Sequence, residues 1–396
     1  MCISRGSLIF PFYGTVGRQL ELLAQNIPVT QDGNISDFYA CTCRSGKTTL
    51  LNHILGGDHG KKIVVIENEF GEIDIDSDLV TFRDSSDENI ILLNNGCLCC
   101  TVRSDLVDML SKLVTERKGE FDHIVIETTG LASPAPIIQT FFMEPDLLEA
   151  LRMDGLVTIV DAKHAMMHLD EEKPEGMVNE ALEQVAFADR LVINKTDLVS
   201  EVEIRSVESR VREINKLTAL RRAIDAEVDL DFVLDIGGFE LDRVQGALQH
   251  ESETQPKLHD SHAKDHAHGP QRHDEMGHGH SHSHGHGDHT HDDRVTSVSL
   301  SMDGEVDLDR VNDWLGTLLL ERWQDLFRMK GILAIEGCDD RYVFQGVNAL
   351  FEGMPDRPWV EGETRRSRLV FIGKDLDSAE LMAGFRACEV SPKIDA

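Results

Sequence analysis

Short apolar runs alternate with amphipathic stretches between about residue 45 and residue 200. The strand-like runs are rich in Val and Ile, and they cover residues 62–66, 90–93, 123–126, 156–160 and 190–193. Continuously apolar runs are typical of parallel strands that are buried on both faces. Helical stretches separate most of them, for example residues 48–55 with Gly56 as the C-cap. The pattern predicts a doubly wound α/β domain with a mostly parallel sheet, whose ligands bind at the carboxyl ends of the strands.

This pattern stops at about residue 248 and returns after Arg294. Residues 250–291 hold 13 of the 18 histidines, interleaved with Gly, Ser and Asp, and nothing there could form a core. That composition predicts a disordered linker. Farther on, residues 295–300 and 369–372 resemble strands, and leucines and a valine recur at helical spacing: Leu308, Val311, Leu315, Leu318, Leu319 and Leu326. We therefore expect a small α+β domain over residues 294–396.

Net charge and hydropathy argue against nucleic acids and membranes as partners. The 396 residues include 39 Lys and Arg against 71 Asp and Glu, which gives a formal net charge of −32. Nucleic acids and anionic membranes need a positive face, so the sequence predicts neither as a partner. The hydrophobic fraction of 41% is enough for cores. No apolar stretch approaches the length that spans a bilayer.

Cysteine usage and the N-terminus bear on the compartment. Three of the eight cysteines lie within residues 97–100, which indicates metal or thiol chemistry in a reducing compartment. The first acidic residue is Glu21, and Arg5 and Arg18 precede it. Such a start is consistent with a transit peptide or with a disordered tail. A cytoplasmic location is the first expectation, and the mitochondrial matrix or the plastid stroma is the alternative.

Ser45-Gly46-Lys47-Thr48-Thr49 runs directly into an apolar helix, as a phosphate-binding loop does. In such a loop the backbone N–H groups cradle the phosphates, Lys47 reaches the β- and γ-phosphates, and the Thr48 hydroxyl binds Mg²⁺. The full pattern has a Gly five residues before Gly46, where this chain has Cys41. An ordinary surface Ser-Gly-Lys at a helix start is therefore the alternative interpretation.

A second motif, Asn194-Lys195-Thr196-Asp197, follows an apolar run, as the guanine-binding motif of GTPases does. The Asp197 carboxylate would accept two N–H donors of guanine that adenine does not offer, the Lys195 stem would lie along the purine, and Asn194 would brace the loop. Between the two motifs lies Glu127-Thr128-Thr129-Gly130, where Glu127 could reach the Mg²⁺ shell and the Gly130 N–H could sense the γ-phosphate. Three elements in this order predict a GTPase.

The third motif is Gly96-Cys97-Leu98-Cys99-Cys100. Adjacent cysteines rarely meet disulfide geometry, whereas closely spaced thiolates are good ligands for zinc. Structural zinc usually binds two separated CxxC knuckles, and the sequence has no second CxxC knuckle, so a further ligand must come from elsewhere. The nearest candidates are Glu67 and Glu72 in the acid-rich segment 67–72. Three merely buried cysteines are the alternative.

Together these segments resemble the CobW family, the metal-handling GTPases that include the zinc-regulated GTPase metalloprotein activators. The resemblance covers residues 45 to 396 and rests on SGKTTLLNHIL, ENEFGE, NNGCLCC, VIETTGLASPAPIIQTF, VDAKH, NKTD, the His-rich linker and the C-terminal domain. It implies a P-loop GTPase that holds zinc when GTP is bound and releases it to a client metalloprotein on hydrolysis. The domains it implies are a tail with an atypical segment (1–44), a GTPase domain (45–248), the linker (249–293) and a C-terminal α+β domain (294–396).

The resemblance also implies a role for each motif residue. The nucleotide with its Mg²⁺ would contact Ser45, Gly46, Lys47, Thr48, Thr49, Glu127, Gly130, Asn194, Lys195 and Asp197. Of these, Lys47, Thr48 and Glu127 would serve hydrolysis. Zinc would bind Cys97, Cys99 and Cys100, with Glu67 and Glu72 as oxygen ligands.

One segment departs from the family pattern. The family has an apolar strand and a Gly-rich loop directly before SGKTT. Here residues 27–30 resemble the beginning of that strand, but residues 31–44 are polar, contain cysteines and are not expected to form a strand. Arg44 stands where the family has Gly, and its side chain would crowd the phosphates.

Two other functions remain open. A zinc buffer would store metal in the His-rich linker and the CxCC motif without turning over nucleotide. A GTP-dependent maturation factor for a cobalt or nickel enzyme would use the same ligands, because thiolates and imidazoles accept several late transition metals.

Overall fold

The computed structural model describes residues 34–41, 45–68, 80–81, 90–95, 103–117, 119–128, 130, 133–171, 173, 179–238, 294–348, 350–360 and 362–390. The predicted His-rich linker and the expected strand start at residues 27–30 lie outside the described residues. The predicted domain boundaries stay predictions.

The first sheet has the predicted parallel architecture. Its described strands lie in the order β3-β4-β2-β5-β1-β6-β7-β8, and all neighbours are parallel except the edge pair β3–β4. Their bounds are Asn34–Cys41 (β1), Ile63–Asn68 (β2), Val80–Thr81 (β3), Ile90–Asn95 (β4), His123–Glu127 (β5), Leu151–Asp161 (β6), Arg190–Asn194 (β7) and Ala219–Arg222 (β8).

Helices cover both faces of this sheet. They are Lys47–Gly56 (α1), Arg103–Glu116 (α2), Ala135–Met143 (α3), Pro145–Ala150 (α4), Ala165–Leu169 (α5), Glu180–Phe187 (α6), Glu201–Ile214 (α7) and Leu230–Val233 (α8). In β2, Val64 and Ile66 pack in the core of α2, α3, α6 and α7, whereas Ile63 and Val65 pack in the core of α1 and α8. This double burial explains the continuously apolar strand sequences and confirms the doubly wound fold. In the described part of the chain, no helix is long and apolar enough to span a membrane.

The expectation that residues 31–44 form no strand is wrong. Asn34–Cys41 forms β1, which pairs in parallel with β5 on one side and β6 on the other. This strand was missed in the sequence because polar residues interrupt its apolar pattern. Ile35, Phe38 and Tyr39 are nevertheless residue types that are common in strands. Residues 34–41 therefore form a strand because their backbone pairs with β5 and β6, although they lack the continuous apolar run of the other strands.

Two smaller expectations also change. Helix α1 extends to Gly56, and its C-cap is Gly57 in an extended conformation. Leu326 belongs to a strand, because helix α9 ends at Arg322 and Leu326 opens β10. Helical spacing alone does not show where a helix stops, since Leu326 is buried in either structure.

The C-terminal domain is a five-stranded antiparallel sheet in the order β12-β11-β10-β13-β9. Its elements are Val295–Asp303 (β9), Leu308–Arg322 (α9), Leu326–Ala334 (β10), Asp340–Val347 (β11), Leu350–Pro358 (β12), Arg366–Lys374 (β13) and Ser378–Ala387 (α10). Helices α9 and α10 pack with the sheet in one core, which includes Leu315, Leu333 and Phe385. The predicted α+β class is confirmed.

The other face of this sheet packs on the first domain around a buried charge cluster. The Asp189 carboxylate, directly before β7, accepts hydrogen bonds from Arg328 at 2.5 Å and from Lys330 at 2.9 Å. The Leu156 N–H donates to the same carboxylate at 3.0 Å. Burial alone would raise the pKa of Asp189, but the two cations outweigh it and lower the pKa from 3.8 to about 2.

Replacing this carboxylate should destabilise the protein strongly. Asp189→Asn leaves Arg328 and Lys330 buried without their counter-charge, and breaking such a cluster costs about 3–5 kcal/mol. Because the folded-state pKa is depressed, the contribution is complete above about pH 4 and is lost as the pH falls toward 2. Urea unfolding at pH 7 measures it. As a control, Asp303→Asn removes an exposed pair with Arg366, and an equal shift of the midpoint in both variants would contradict the prediction.

Candidate functional site

The predicted site segments follow the carboxyl ends of neighbouring parallel strands. Across the sheet these strands are β4, β2, β5, β1, β6 and β7, and adjacent strands lie about 4.8 Å apart. Their last residues are Asn95, Asn68, Glu127, Cys41, Asp161 and Asn194, in that order. The cysteine motif follows the first of these strands, the phosphate loop follows the fourth, and NKTD continues the last. The strands that precede these three motifs in sequence therefore end at the same side of one sheet.

The described half of the phosphate loop is held at a left-handed glycine. Gly46 has φ 109°, and its carbonyl accepts the Leu50 N–H at 2.9 Å to close the first turn of α1. A Cβ at Gly46 would lie 2.4 Å from Nδ2 of Asn194. Only glycine fits, because both the dihedral angle and the space exclude a side chain. Thr48 and Thr49 lie exposed on the first turn of α1, next to Lys47.

The Asn194 amide joins the phosphate loop to a loop near the end of β8. Its Nδ2 donates to the Ser45 carbonyl at 2.8 Å, and its Oδ1 accepts the Ala226 N–H at 2.8 Å. Asn194 is only 2% exposed, so both hydrogen bonds form away from water. Asn194, which is predicted to brace the loop, thus makes hydrogen bonds to two backbone groups of other segments.

The loop at residues 223–226 contacts the NKTD motif and was not identified from the sequence. The Thr196 N–H and hydroxyl both donate to the Ala223 carbonyl, at 3.2 and 3.0 Å. Asp225 and Ala226 both have positive φ, of 51° and 55°. Asp is one of the residue types that adopt positive φ more often, whereas Ala rarely does. Of the two residues, only Asp225 therefore indicates this loop conformation from sequence. Asp197 lies exposed in the 3₁₀ turn Thr196–Leu198.

Lys195 is fixed by a buried carboxylate on the neighbouring strand. Its Nζ donates to Oδ2 of Asp161 at 2.7 Å, and the ring Nδ1 of His164 lies 3.1 Å from the same oxygen. Burial alone would raise the pKa of Asp161, but hydrogen bonds from Lys195, His164 and the Lys163 N–H outweigh it and lower that pKa. Asp161 was not among the predicted site residues.

Glu127 and Lys47 line one small cavity, together with Leu50 and Ile159. Thr128 is buried directly after β5, and the Gly130 carbonyl accepts the Gln184 side chain of α6 at 3.2 Å. Gln184 is fully buried and was also missed, because a Gln in a helix has no distinguishing pattern. The loop after β5 is thereby connected to α6.

The predicted metal ligands are only partly within the described residues. Cys97, Cys99, Cys100 and Glu72 lie outside them, as does the side chain of Glu67. The Glu67 backbone is aligned with Asn94 of β4 on one side and with Glu127 of β5 on the other. Among the described side chains, no group of three or more His, Cys, Asp and Glu could hold a metal ion.

Two known domains match the chain. Residues 43–221 match the CobW/HypB/UreG nucleotide-binding domain. Residues 295–389 match the cobalamin synthesis protein cobW C-terminal domain. The first match begins after β1 and covers most of the parallel sheet, and the second covers the antiparallel sheet.

Two relatives and a solved structure match this chain over half of its length or more. The zinc chaperone YjiA of Escherichia coli is 36% identical over 344 residues, which are 86% of this chain and 94% of YjiA. The zinc-regulated GTPase metalloprotein activator 1 of Dictyostelium discoideum is 34% identical over 224 residues, 50% of this chain and 47% of that protein. The crystal structure of Zn(II)-bound YjiA GTPase from E. coli is 30% identical with a TM-score of 0.65, and the match covers 91% of this chain and 100% of that one.

Gly46 should tolerate no side chain, in contrast to a nearby glycine. Gly46→Ala forces a methyl group against the Asn194 amide at a left-handed φ, so we expect at least a tenfold loss of guanine-nucleotide affinity. Gly56→Ala, in the same helix, meets no atom within 4 Å and should bind nucleotide like the wild type. Calorimetric titration with GDP compares the two, and equal affinities would show that the contact with Asn194 does not shape the site.

Proposed function

Because the chain belongs to the CobW family of P-loop GTPases, we propose that it is a GTP-dependent zinc metallochaperone. In this proposal the CxCC motif holds zinc while GTP is bound, and hydrolysis releases zinc to a client metalloprotein. The observation that supports the proposal is the strand order, because the parallel strands β4, β5, β1 and β7, which precede the proposed site segments in sequence, all end at the same side of one sheet.

The guanine end of the proposed site involves Asn194, Lys195 and Asp197. The turn that carries Asp197 is held by the hydrogen bonds of Thr196 to Ala223, and Asp197 itself is exposed. A fixed carboxylate can accept the two N–H donors of guanine, and adenine would leave it unpaired. This supports a preference for GTP over ATP.

The phosphate end fits a nucleoside triphosphate with Mg²⁺. Gly46 has no Cβ and so allows the loop to approach the Asn194 amide, and Lys47 and Glu127 bring a cation and a carboxylate to one cavity. Lys47 would stabilise charge on the β- and γ-phosphates, and Thr48 would bind Mg²⁺. In hydrolysis water attacks the γ-phosphorus and GDP leaves. Gly130, held by Gln184, would sense that loss.

The zinc end would lie beside the phosphate end. β4 ends two residues before Cys97, and β2, which ends with Glu67 and Asn68, separates β4 from β5. Thiolates with a carboxylate form a suitable zinc site. Thiolate ligands need a reducing compartment, and we propose the cytoplasm, with an organelle matrix or stroma as the alternative.

Two rival functions use the same ligands. A zinc buffer would not need the nucleotide cradle that Gly46 and Asn194 form, which favours the chaperone. A cobalt or nickel maturation factor would need it, but the relatives YjiA and the Dictyostelium protein carry names that refer to zinc.

The CxCC motif should supply one tight zinc site. Three thiols within four residues should lose less conformational freedom on binding zinc than the imidazoles spread over residues 250–291, which should bind several ions more weakly. Cys99→Ser combined with Cys100→Ser should abolish the tight site in a chelator competition, whereas deletion of residues 250–291 should retain it. Cys338→Ala, which alters a buried cysteine of the second domain, is the control and should retain it too.

Tight stoichiometry that survives the double serine variant would reject the metal assignment. Phosphate release from GTP, measured with and without zinc, distinguishes the rivals, because a buffer releases none. Metal analysis of protein from its native source identifies zinc, cobalt or nickel.

A further inference from the structure

We propose that Asp161 is a positioning residue for guanine recognition: its carboxylate holds the Lys195 side chain where the stem of that lysine covers the base. This inference rests on the proposed function, because it takes Asn194–Asp197 as the guanine motif. The observation behind it is the 2.7 Å contact between Lys195 Nζ and Asp161 Oδ2, formed between the ends of two adjacent strands.

Asp161 lies at the right place on the sheet for this role. It is the last residue of β6 and is in register with Asn194, the last residue of β7. The Ala162 N–H donates to the Asn194 carbonyl at 2.9 Å and extends the pairing past the strand ends. The carboxylate is therefore fixed relative to the base motif by the sheet itself.

The orientation of the carboxylate is also fixed. Oδ1 accepts the Lys163 N–H at 2.9 Å, so the carboxylate closes its own turn. His164 Nδ1 lies 3.1 Å from Oδ2, on a side chain that is about half exposed and covers the carboxylate toward solvent. Asp161 itself is only 4% exposed. A carboxylate restrained on both oxygens presents one defined acceptor to Lys195.

Lys195 needs such an acceptor because of its own flexibility. Its backbone has φ 60°, and its side chain has four rotatable bonds that an unbound lysine samples freely. An ion pair formed before the nucleotide arrives orders the stem in advance, so base binding loses less entropy. The ion pair also balances the charge of the Lys195 ammonium group. The aliphatic part of the side chain is then the surface that contacts the purine.

A second buried carboxylate on β6 provides a matched control. Asp154 is 1% exposed, and its carboxylate accepts the N–H groups of Ile236 and Gly237, both at 2.7 Å. These contacts lie near the other end of the strand and involve no residue of the base motif. Asp154→Asn thus imitates the loss of a buried charge without touching Lys195.

The test is a double-mutant cycle on the full chain with GDP as the probe. Asp161→Asn should weaken GDP binding about tenfold, Lys195→Met should do about the same, and the double variant should bind no more weakly than Lys195→Met. Asp154→Asn should lower the unfolding midpoint and keep GDP affinity within about twofold. In GTP hydrolysis, Asp161→Asn should raise KM and leave kcat unchanged, because the contact lies away from the phosphates.

Three outcomes would overturn the inference: Asp161→Asn binding GDP within twofold of the wild type, losses that multiply in the double variant, or equal losses of affinity in Asp161→Asn and Asp154→Asn. Asp197→Ala separates this failure from failure of the proposed function. If Asp197→Ala and Lys195→Met both bind GDP like the wild type, the guanine motif itself is wrong, and the inference falls with it. If both lose affinity but Asp161→Asn does not, only the role of Asp161 is rejected.

Discussion

The buried amide of Asn194 is the contact on which the candidate nucleotide site depends. It donates to the Ser45 carbonyl and accepts the Ala226 N–H, so it joins three segments that are far apart in the sequence. The approach is so close that Gly46 has no room for a Cβ. Because the amide is buried, each lost hydrogen bond would leave a polar group unsatisfied. Through this amide the candidate phosphate loop and the candidate base motif form one hydrogen-bonded unit.

Strand β7 connects this unit to the second domain. Asn194 ends the strand, and Asp189 directly precedes it, where Arg328 and Lys330 of the second sheet bind the Asp189 carboxylate. Helix α6 makes a second connection between the candidate site and the second domain. Gln184 donates a hydrogen bond to the Gly130 carbonyl, and the Phe187 carbonyl accepts one from Arg328. The C-terminal domain thus packs on elements that also position the candidate site.

Much of the fold and part of the site were predictable from sequence. Strands such as β2 and β5 are buried on both faces, and their unbroken Val and Ile runs show it. Strand β1 was missed because its place between β5 and β6 depends on backbone pairing and not on an apolar run. Ala223, Gln184 and Asp161 were missed for another reason: each acts through a partner distant in sequence. Local motifs indicate which residues are expected to contact a ligand. They do not indicate the residues elsewhere in the sequence that hold those side chains in place.

In the proposed function, the nucleotide and zinc sites lie at the same side of one sheet and are energetically coupled. The most direct measurement is the zinc affinity of the full chain with GDP and with a non-hydrolysable GTP analogue. Coupling is reciprocal in binding free energy, so zinc should tighten the analogue by the factor that the analogue tightens zinc. A typical coupling of about 1–3 kcal/mol predicts a change of roughly five- to 150-fold. Equal zinc affinities in the two nucleotide states would contradict this coupling, because the protein would then carry two independent sites.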